Sequence, residues 1–72
     1  MEIVIKATEF KTAREAIAYA NKVRKIAITM GGKNLVVSEK DEDKLMELGS
    51  VFACLCLVEK DGEQVVVTVP VN

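Results

Sequence analysis

The sequence predicts a small α+β domain, and three observations lead to that class. Two segments show the 3/4 spacing of apolar residues that is typical of an amphipathic helix. Stretches rich in β-branched residues are broken by Gly31-Gly32 and Asp61-Gly62, which are dipeptides that favour two-residue hairpin turns. The 72 residues leave room for one domain, over residues 1–72, and contain no linker or internal repeat.

The first strand and the first helix are predicted within the first third of the chain. Residues 1–7 alternate between apolar and polar side chains, which favours a strand. Thr12 and Glu15 have the spacing of a capping box, which satisfies backbone N–H groups at a helix start. Apolar residues then recur at helical spacing over about 13–24, and most of them are alanine. Such small side chains would let the helix lie close to a sheet.

A first hairpin is predicted around the glycine pair at 31–32. A two-residue loop there gives three cross-strand pairs: Met30 with Lys33, Ile28 with Leu35, and Ile26 with Val37. Two of these pairs bring apolar residues together on one face, which supports the hairpin. The Gly-Gly-Lys run also resembles part of a phosphate-binding loop. That loop needs Ser or Thr after the lysine and then a helix, so we interpret the run as a turn.

A second helix of about ten residues is predicted to begin after Ser38, its N-cap. Leu45 and Leu48 give it a short apolar stripe, and Gly49 suits the position after its end. Its first turns are crowded with carboxylates, which the helix dipole favours there: Glu39, Asp41, Glu42 and Asp43. These acids lack the ligand spacing of a calcium-binding loop, so we interpret them as residues of a helix start.

The C-terminal hairpin is the most apolar part of the chain, with a strand predicted at 50–58, a turn at 61–62 and a return strand at 65–71. One face carries Phe52, Cys54, Cys56, Val58, Val65, Val67, Val69 and Val71. The other carries Val51, Ala53, Leu55, Leu57, Val66, Thr68 and Pro70. A surface hairpin of a monomer should have a polar side, and this one has none. Pro70 is typical of an edge strand, since proline cannot donate to a ladder.

We therefore expect the first face to cover the core and the second to be an interface, formed by Val51, Ala53, Leu55, Leu57, Val66 and Thr68. The simplest partner is a second copy of the chain, because a two-fold dimer buries the same patch on both subunits. The sequence thus predicts a non-enzymatic interaction or regulatory module that acts as a homo-oligomer, most simply a dimer, with an unidentified protein partner as the alternative occupant.

The predicted element order is β-α-β-β-α-β-β, in one mostly antiparallel sheet with two helices on one face. Its first six elements match the order of the ferredoxin-like split βαβ, with an extra C-terminal strand. Ligand-binding domains, metal chaperones and nucleic-acid modules share that order, so it implies no function. The chaperones carry C-x-x-C on their first loop, whereas Cys54-Leu55-Cys56 lies in a later strand.

Composition excludes several functions. The chain has no histidine and no tryptophan, so His-dependent triads and His-ligated metals are absent, and we expect no enzyme activity, cofactor or metal. The longest apolar run, residues 51–58, is far shorter than the roughly 20 residues of a membrane helix, so we expect no membrane partner. The two cysteines are one residue apart and cannot close an unstrained disulfide. With no signal-like segment, we expect a cytoplasmic location.

Two alternatives remain open. The first is a nucleic-acid-associated protein that uses basic residues on or near the first helix: Lys11, Arg14, Lys22, Arg24 and Lys25. The isoelectric point of about 5.4 and the lack of a nucleic-acid motif make a solvated helix face the better interpretation. The second is a thiol redox protein that uses Cys54 and Cys56. Their apolar flanks, without a nearby positive charge, favour packing instead.

Overall fold

A computed structural model describes residues 5–71 and confirms the α+β class. In chain order its elements are β1 (Thr8–Phe10), α1 (Ala13–Val23), β2 (Ile26–Met30), β3 (Lys33–Val37), α2 (Glu39–Glu47), β4 (Phe52–Lys60) and β5 (Glu63–Val71). The strands form one sheet in the order β1-β3-β2-β4-β5, and every pair among the described residues is antiparallel.

The first strand among the described residues is Thr8–Phe10, which follows the alternating residues 1–7. Residues 1–4 fall outside the described part, and residues 5–7 have no regular secondary structure. The strand β1 instead pairs with β3, with Glu9 opposite Leu35. Its last residue, Phe10, packs against the core under α1, and its ring lies 5.2 Å from the ring of Tyr19. The position of β1 is therefore fixed by the packing of Phe10 against the core. The alternation of apolar and polar residues does not show this contact.

Both helices begin where the sequence predicts. The hydroxyl of Thr12 accepts a hydrogen bond from the backbone N–H of Glu15 at 3.2 Å, and Ser38 accepts one from Asp41 at 3.2 Å. These caps satisfy backbone donors that a helix start leaves free. The alanine-rich stripe of α1 is buried against the sheet, as its small side chains predict.

Both predicted hairpin registers are confirmed. In the first, Ile28 pairs with Leu35 and Ile26 with Val37 around the turn at 31–32. In the second, β4 and β5 pair along their whole length, from Phe52 opposite Val71 to Lys60 opposite Glu63. All four turn residues have positive φ, as a primed two-residue turn requires. Both strands of the second hairpin reach the turn itself, so β4 and β5 extend closer to it than predicted.

The prediction that both helices lie on one face is wrong, and the ferredoxin-like arrangement is not confirmed. The helix α1 packs on a cluster that includes Ala27, Val36 and Leu55. The helix α2 packs through Leu45 on the opposite face, against residues that alternate with those. In a ferredoxin-like sheet the fourth strand joins beside β1, whereas here β4 pairs with β2.

The position of β4 explains why the helices separate. The strands β1 and β2 both run antiparallel to β3, so α1 connects two parallel strands, and α2 likewise connects β3 to β4. Both connections cross the sheet in the same direction, from β1 towards β5. The strands that α1 connects, however, run antiparallel to the strands that α2 connects. Because such crossovers are right-handed, the two helices must cover opposite faces. The sheet is therefore a middle layer that needs apolar residues on both sides.

Candidate interaction surface of the C-terminal hairpin

The C-terminal hairpin projects beyond the rest of the sheet. The strand β4 pairs with β2 only at Cys54, opposite Ile28, and at Ala53, opposite Thr29. It pairs with β5 along all nine residues, so the distal half of the hairpin extends past the other strands. The molecule is correspondingly elongated, at 46 × 23 × 19 Å.

The helix α1 covers the face of the hairpin that the sequence assigns to an interface. Leu55 is only 7% exposed and belongs to the core under α1, and Leu57 and Val66 pack against the same cluster. The guanidinium of Arg14 in α1 donates a 2.6 Å hydrogen bond to the carbonyl of Gln64, which ties the helix to the hairpin. These contacts bury Leu55 under α1, so this position of the predicted interface is covered within the chain itself.

The other residues of that predicted set lie around this core. Ala53 is half-buried, and Thr68 is exposed on β5. Val51 is 78% exposed just before β4 begins, away from the hairpin. The set is therefore not one exposed surface, because α1 crosses its centre.

The opposite face of the distal hairpin is apolar and open. We call it the open face; its residues are Cys56, Val58, Val65, Val67 and Val69. Val58 is 45% exposed and Val69 is 53% exposed. The helix on this side, α2, has nine residues and reaches β4 at Cys54, where it stops covering the sheet. The sequence places these five residues over the core. The position of β4, which is not visible in the sequence, leaves Cys56, Val58 and Val69 exposed and Val65 and Val67 half-buried.

The strand β5 also presents a long backbone edge. It has nine residues, and within residues 5–71 its only strand neighbour is β4. The opposite edge of the sheet is β1, which has three residues. Unpaired strand edges are templates for pairing with another chain. The hairpin therefore combines an open apolar face with an open edge, and β5 carries that edge together with Val65, Val67 and Val69 of the face.

The two thiols have different surroundings. Cys54 is half-buried, and its Sγ donates a hydrogen bond of 3.3 Å to the carboxylate of Glu42 in α2. Burial, the Glu42 hydrogen bond and charge, and the neighbouring Cys56 together raise the pKa of Cys54 to about 11. A reactive thiol requires the opposite environment, with a positive group beside it. Cys56 is exposed on the open face, and both cysteines are free.

We expect Cys54 of the wild-type protein to react slowly with iodoacetamide at pH 8, as followed on its own peptide by mass spectrometry. Its thiolate fraction there is about a hundredfold below that of a thiol at the ordinary pKa of 9.0. The rate should rise about tenfold per pH unit until about pH 11, because the raised pKa keeps the thiol protonated below that value.

The substitution Glu42→Gln should speed the reaction of Cys54 at pH 8, since it removes the negative charge beside the thiol. Glu39→Gln, in the same first turn of α2, is the matched control and should leave the rate unchanged. Mass spectrometry of the alkylated protein follows both variants. Modification of Cys54 at the rate of a free cysteine would show that Glu42 does not hold the proton on the thiol.

The basic residues of the nucleic-acid alternative are exposed but spread over both ends of α1. Lys11 and Arg14 lie at its start, and Lys22, Arg24 and Lys25 lie at its end, roughly 12 Å further along the axis. The guanidinium of Arg14 is engaged by the Gln64 carbonyl. Of the five basic residues, only Lys22, Arg24 and Lys25 lie close together. Arg14 is instead bound to the hairpin.

A shallow cavity lies where β4 separates from the start of β2. Its volume is about 190 Å³, and Asn21, Lys25 and Cys56 are among its lining residues. Ligand pockets usually measure about 300–1,000 Å³. Within the described part of the chain, no three His, Cys, Asp or Glu side chains are grouped to hold a metal ion. None of the helices at residues 5–71 is long and apolar enough to cross a bilayer.

Comparison with known proteins found no matching protein family, no similar curated protein and no similar solved structure. The fold and this surface define a small α+β protein with a projecting hairpin. One face of that hairpin is covered by α1, and the other is open.

Proposed function

We propose that the protein is a non-enzymatic interaction module that forms a homodimer through its C-terminal hairpin. One observation carries the proposal: β5 carries Val65, Val67 and Val69 of the open face, and its outer edge is paired with no other strand among residues 5–71. Small soluble domains usually cover or charge such features, because they favour association. Small chains that lack a disulfide often gain stability from a partner subunit.

A second copy is the occupant we favour, because β5 carries both the open edge and three of the five residues of the open face. A two-fold axis beside β5 brings the same edge and the same valines together from both subunits. The interface is then self-complementary. The free thiols of Cys54 and Cys56 suit a reducing compartment, so we place the protein in the cytoplasm.

Light scattering coupled to size-exclusion chromatography tests the proposal. We expect a dimer at tens of micromolar protein, and we expect Val69→Lys to give a folded monomer, because it places a charge on the open face beside the free edge. Val51→Lys is the matched control, since Val51 is exposed and apolar but lies outside the hairpin. It should remain a dimer. A wild-type monomer at that concentration would overturn the proposal.

A further inference from the structure

We infer that the two copies pair edge to edge through β5, antiparallel, in one register that places the two-fold axis at Val67. The inference rests on the proposed homodimer and names its contact. It follows from the backbone N–H and C=O groups of β5 that face outward. It also follows from the Gln64 carbonyl, which Arg14 binds, and from Pro70, which has no N–H.

The hydrogen bond from Arg14 identifies the outward-facing groups of β5. The carbonyl of Gln64 accepts from the Arg14 guanidinium at 2.6 Å, so this carbonyl points away from β4. Backbone groups of a strand alternate in direction from one residue to the next. The N–H and C=O groups of Val66 and Thr68, and the C=O of Pro70, therefore also face the open edge.

Two groups on this edge are poorer ladder partners than the others. The Gln64 carbonyl is already held by Arg14, and Pro70 has no N–H to donate. The donors that remain are the N–H groups of Gln64, Val66 and Thr68. The acceptors that remain are the C=O groups of Val66, Thr68 and Pro70. Donors and acceptors are equal in number, and the two blocked groups lie at opposite ends of the edge.

One antiparallel register pairs all of these groups. It sets Gln64 opposite the partner's Pro70, and Val66 opposite the partner's Thr68. The Gln64 N–H then donates to the partner's Pro70 carbonyl. The partner's Pro70 has no N–H to donate in return, and the Gln64 carbonyl opposite it already accepts from Arg14. Val66 and the partner's Thr68 exchange both of their hydrogen bonds. Every free donor finds an acceptor.

The neighbouring registers leave groups unpaired. A shift by two residues in one direction directs the N–H of the partner's Thr68 at the Gln64 carbonyl, which Arg14 already holds. A shift in the other direction sets the Val66 carbonyl against the partner's Pro70, which has no donor. Because an unpaired backbone group in a ladder is unfavourable, the Arg14 contact and Pro70 together select the register.

The side chains of the open face agree with this register. Val67 lies opposite the partner's Val67, and Val65 lies opposite the partner's Val69, so only apolar residues meet there. The two sheets become one continuous sheet whose outer edges are the three-residue strands β1. Pairing thus removes the long edge and leaves only short ones.

Disulfide cross-linking in a Cys54→Ala/Cys56→Ser background tests the register. A Val67→Cys variant of that background should oxidise to a covalent dimer, because opposed Cα atoms at such a position lie about 4.5 Å apart. Val65→Cys alone and Val69→Cys alone should not cross-link, since each residue lies about 13 Å from its own copy. An equal mixture of these two variants should cross-link, because residue 65 then faces residue 69.

Light scattering on the same background separates this inference from the proposed function. A non-covalent dimer that cross-links through Val65→Cys or Val69→Cys alone, or not through Val67→Cys, would overturn the register and leave the homodimer standing. A monomer would overturn both. Cross-linking through Val67→Cys and the mixed pair, without either single control, is the result that we expect.

Discussion

Replacing Leu55 with aspartate is expected to unfold the protein. Leu55 is 7% exposed and packs under α1 with Ala16, Ile17 and Ala20. A carboxylate there would be buried among apolar side chains without a partner, which costs several kcal/mol. A domain of this length has a free energy of unfolding of about 4–11 kcal/mol, so the substitution consumes most or all of it. Circular dichroism and urea denaturation measure the effect.

Val58→Asp is the matched control for Leu55→Asp. Val58 lies on the same strand but on the open face, and it is 45% exposed. Its carboxylate would stay hydrated, so the free energy of unfolding should change by about 0.5 kcal/mol or less. A folded Leu55→Asp protein together with an unfolded Val58→Asp protein would mean that α1 covers the other face of the hairpin.

The substitution Ile28→Ala is expected to lower the free energy of unfolding by about 2–5 kcal/mol. Ile28 is fully buried at 0% exposure, in the middle of the sheet on the α2 side. Removing its distal carbons would leave a cavity between the sheet and Leu45. Because α2 is short and its contacts with the sheet centre on Leu45, it should loosen first. Thermal and urea denaturation give the size of the loss.

The control for Ile28→Ala is Val58→Ala, an aliphatic truncation on the same side of the sheet beyond the reach of α2. Its effect should be within about 0.5 kcal/mol, since an exposed side chain leaves no cavity when it is shortened. Equal effects of the two truncations would contradict the finding that α2 packs on this side and that the core there ends at Cys54.

The elements whose signals are local could be predicted from the sequence. Thr12 and Ser38 begin helices because their hydroxyls can bond an N–H three residues ahead, whatever the rest of the fold does. The turns at 31–32 and 61–62 fix both hairpin registers, because two positive-φ residues define which positions face each other. The strand at Thr8–Phe10 could not be predicted, because its three residues carry no clear alternation and its place depends on the contact of Phe10 with the core under α1.

The interaction surface could be predicted only in part. The alternation of β4 and β5 shows that the hairpin has two apolar faces, but it does not show which face a helix covers. That depends on whether β4 joins the sheet beside β1 or beside β2. The role of Arg14 at the hairpin edge was also invisible, since the residue lies fifty positions from Gln64 along the chain.

By itself, the sequence determined the α+β class, both helix starts, both turns and the apolar character of both hairpin faces. All of these depend on residues close together in the chain. The tertiary structure decided that α1 covers Leu55 and leaves Val58 and Val69 exposed. The reason is that β4 pairs with β2, and right-handed crossovers then place the two helices on opposite faces. Near α2, both faces of β4 are therefore part of the core. Beyond Cys54, the face on the α2 side has no helix over it and is an open surface.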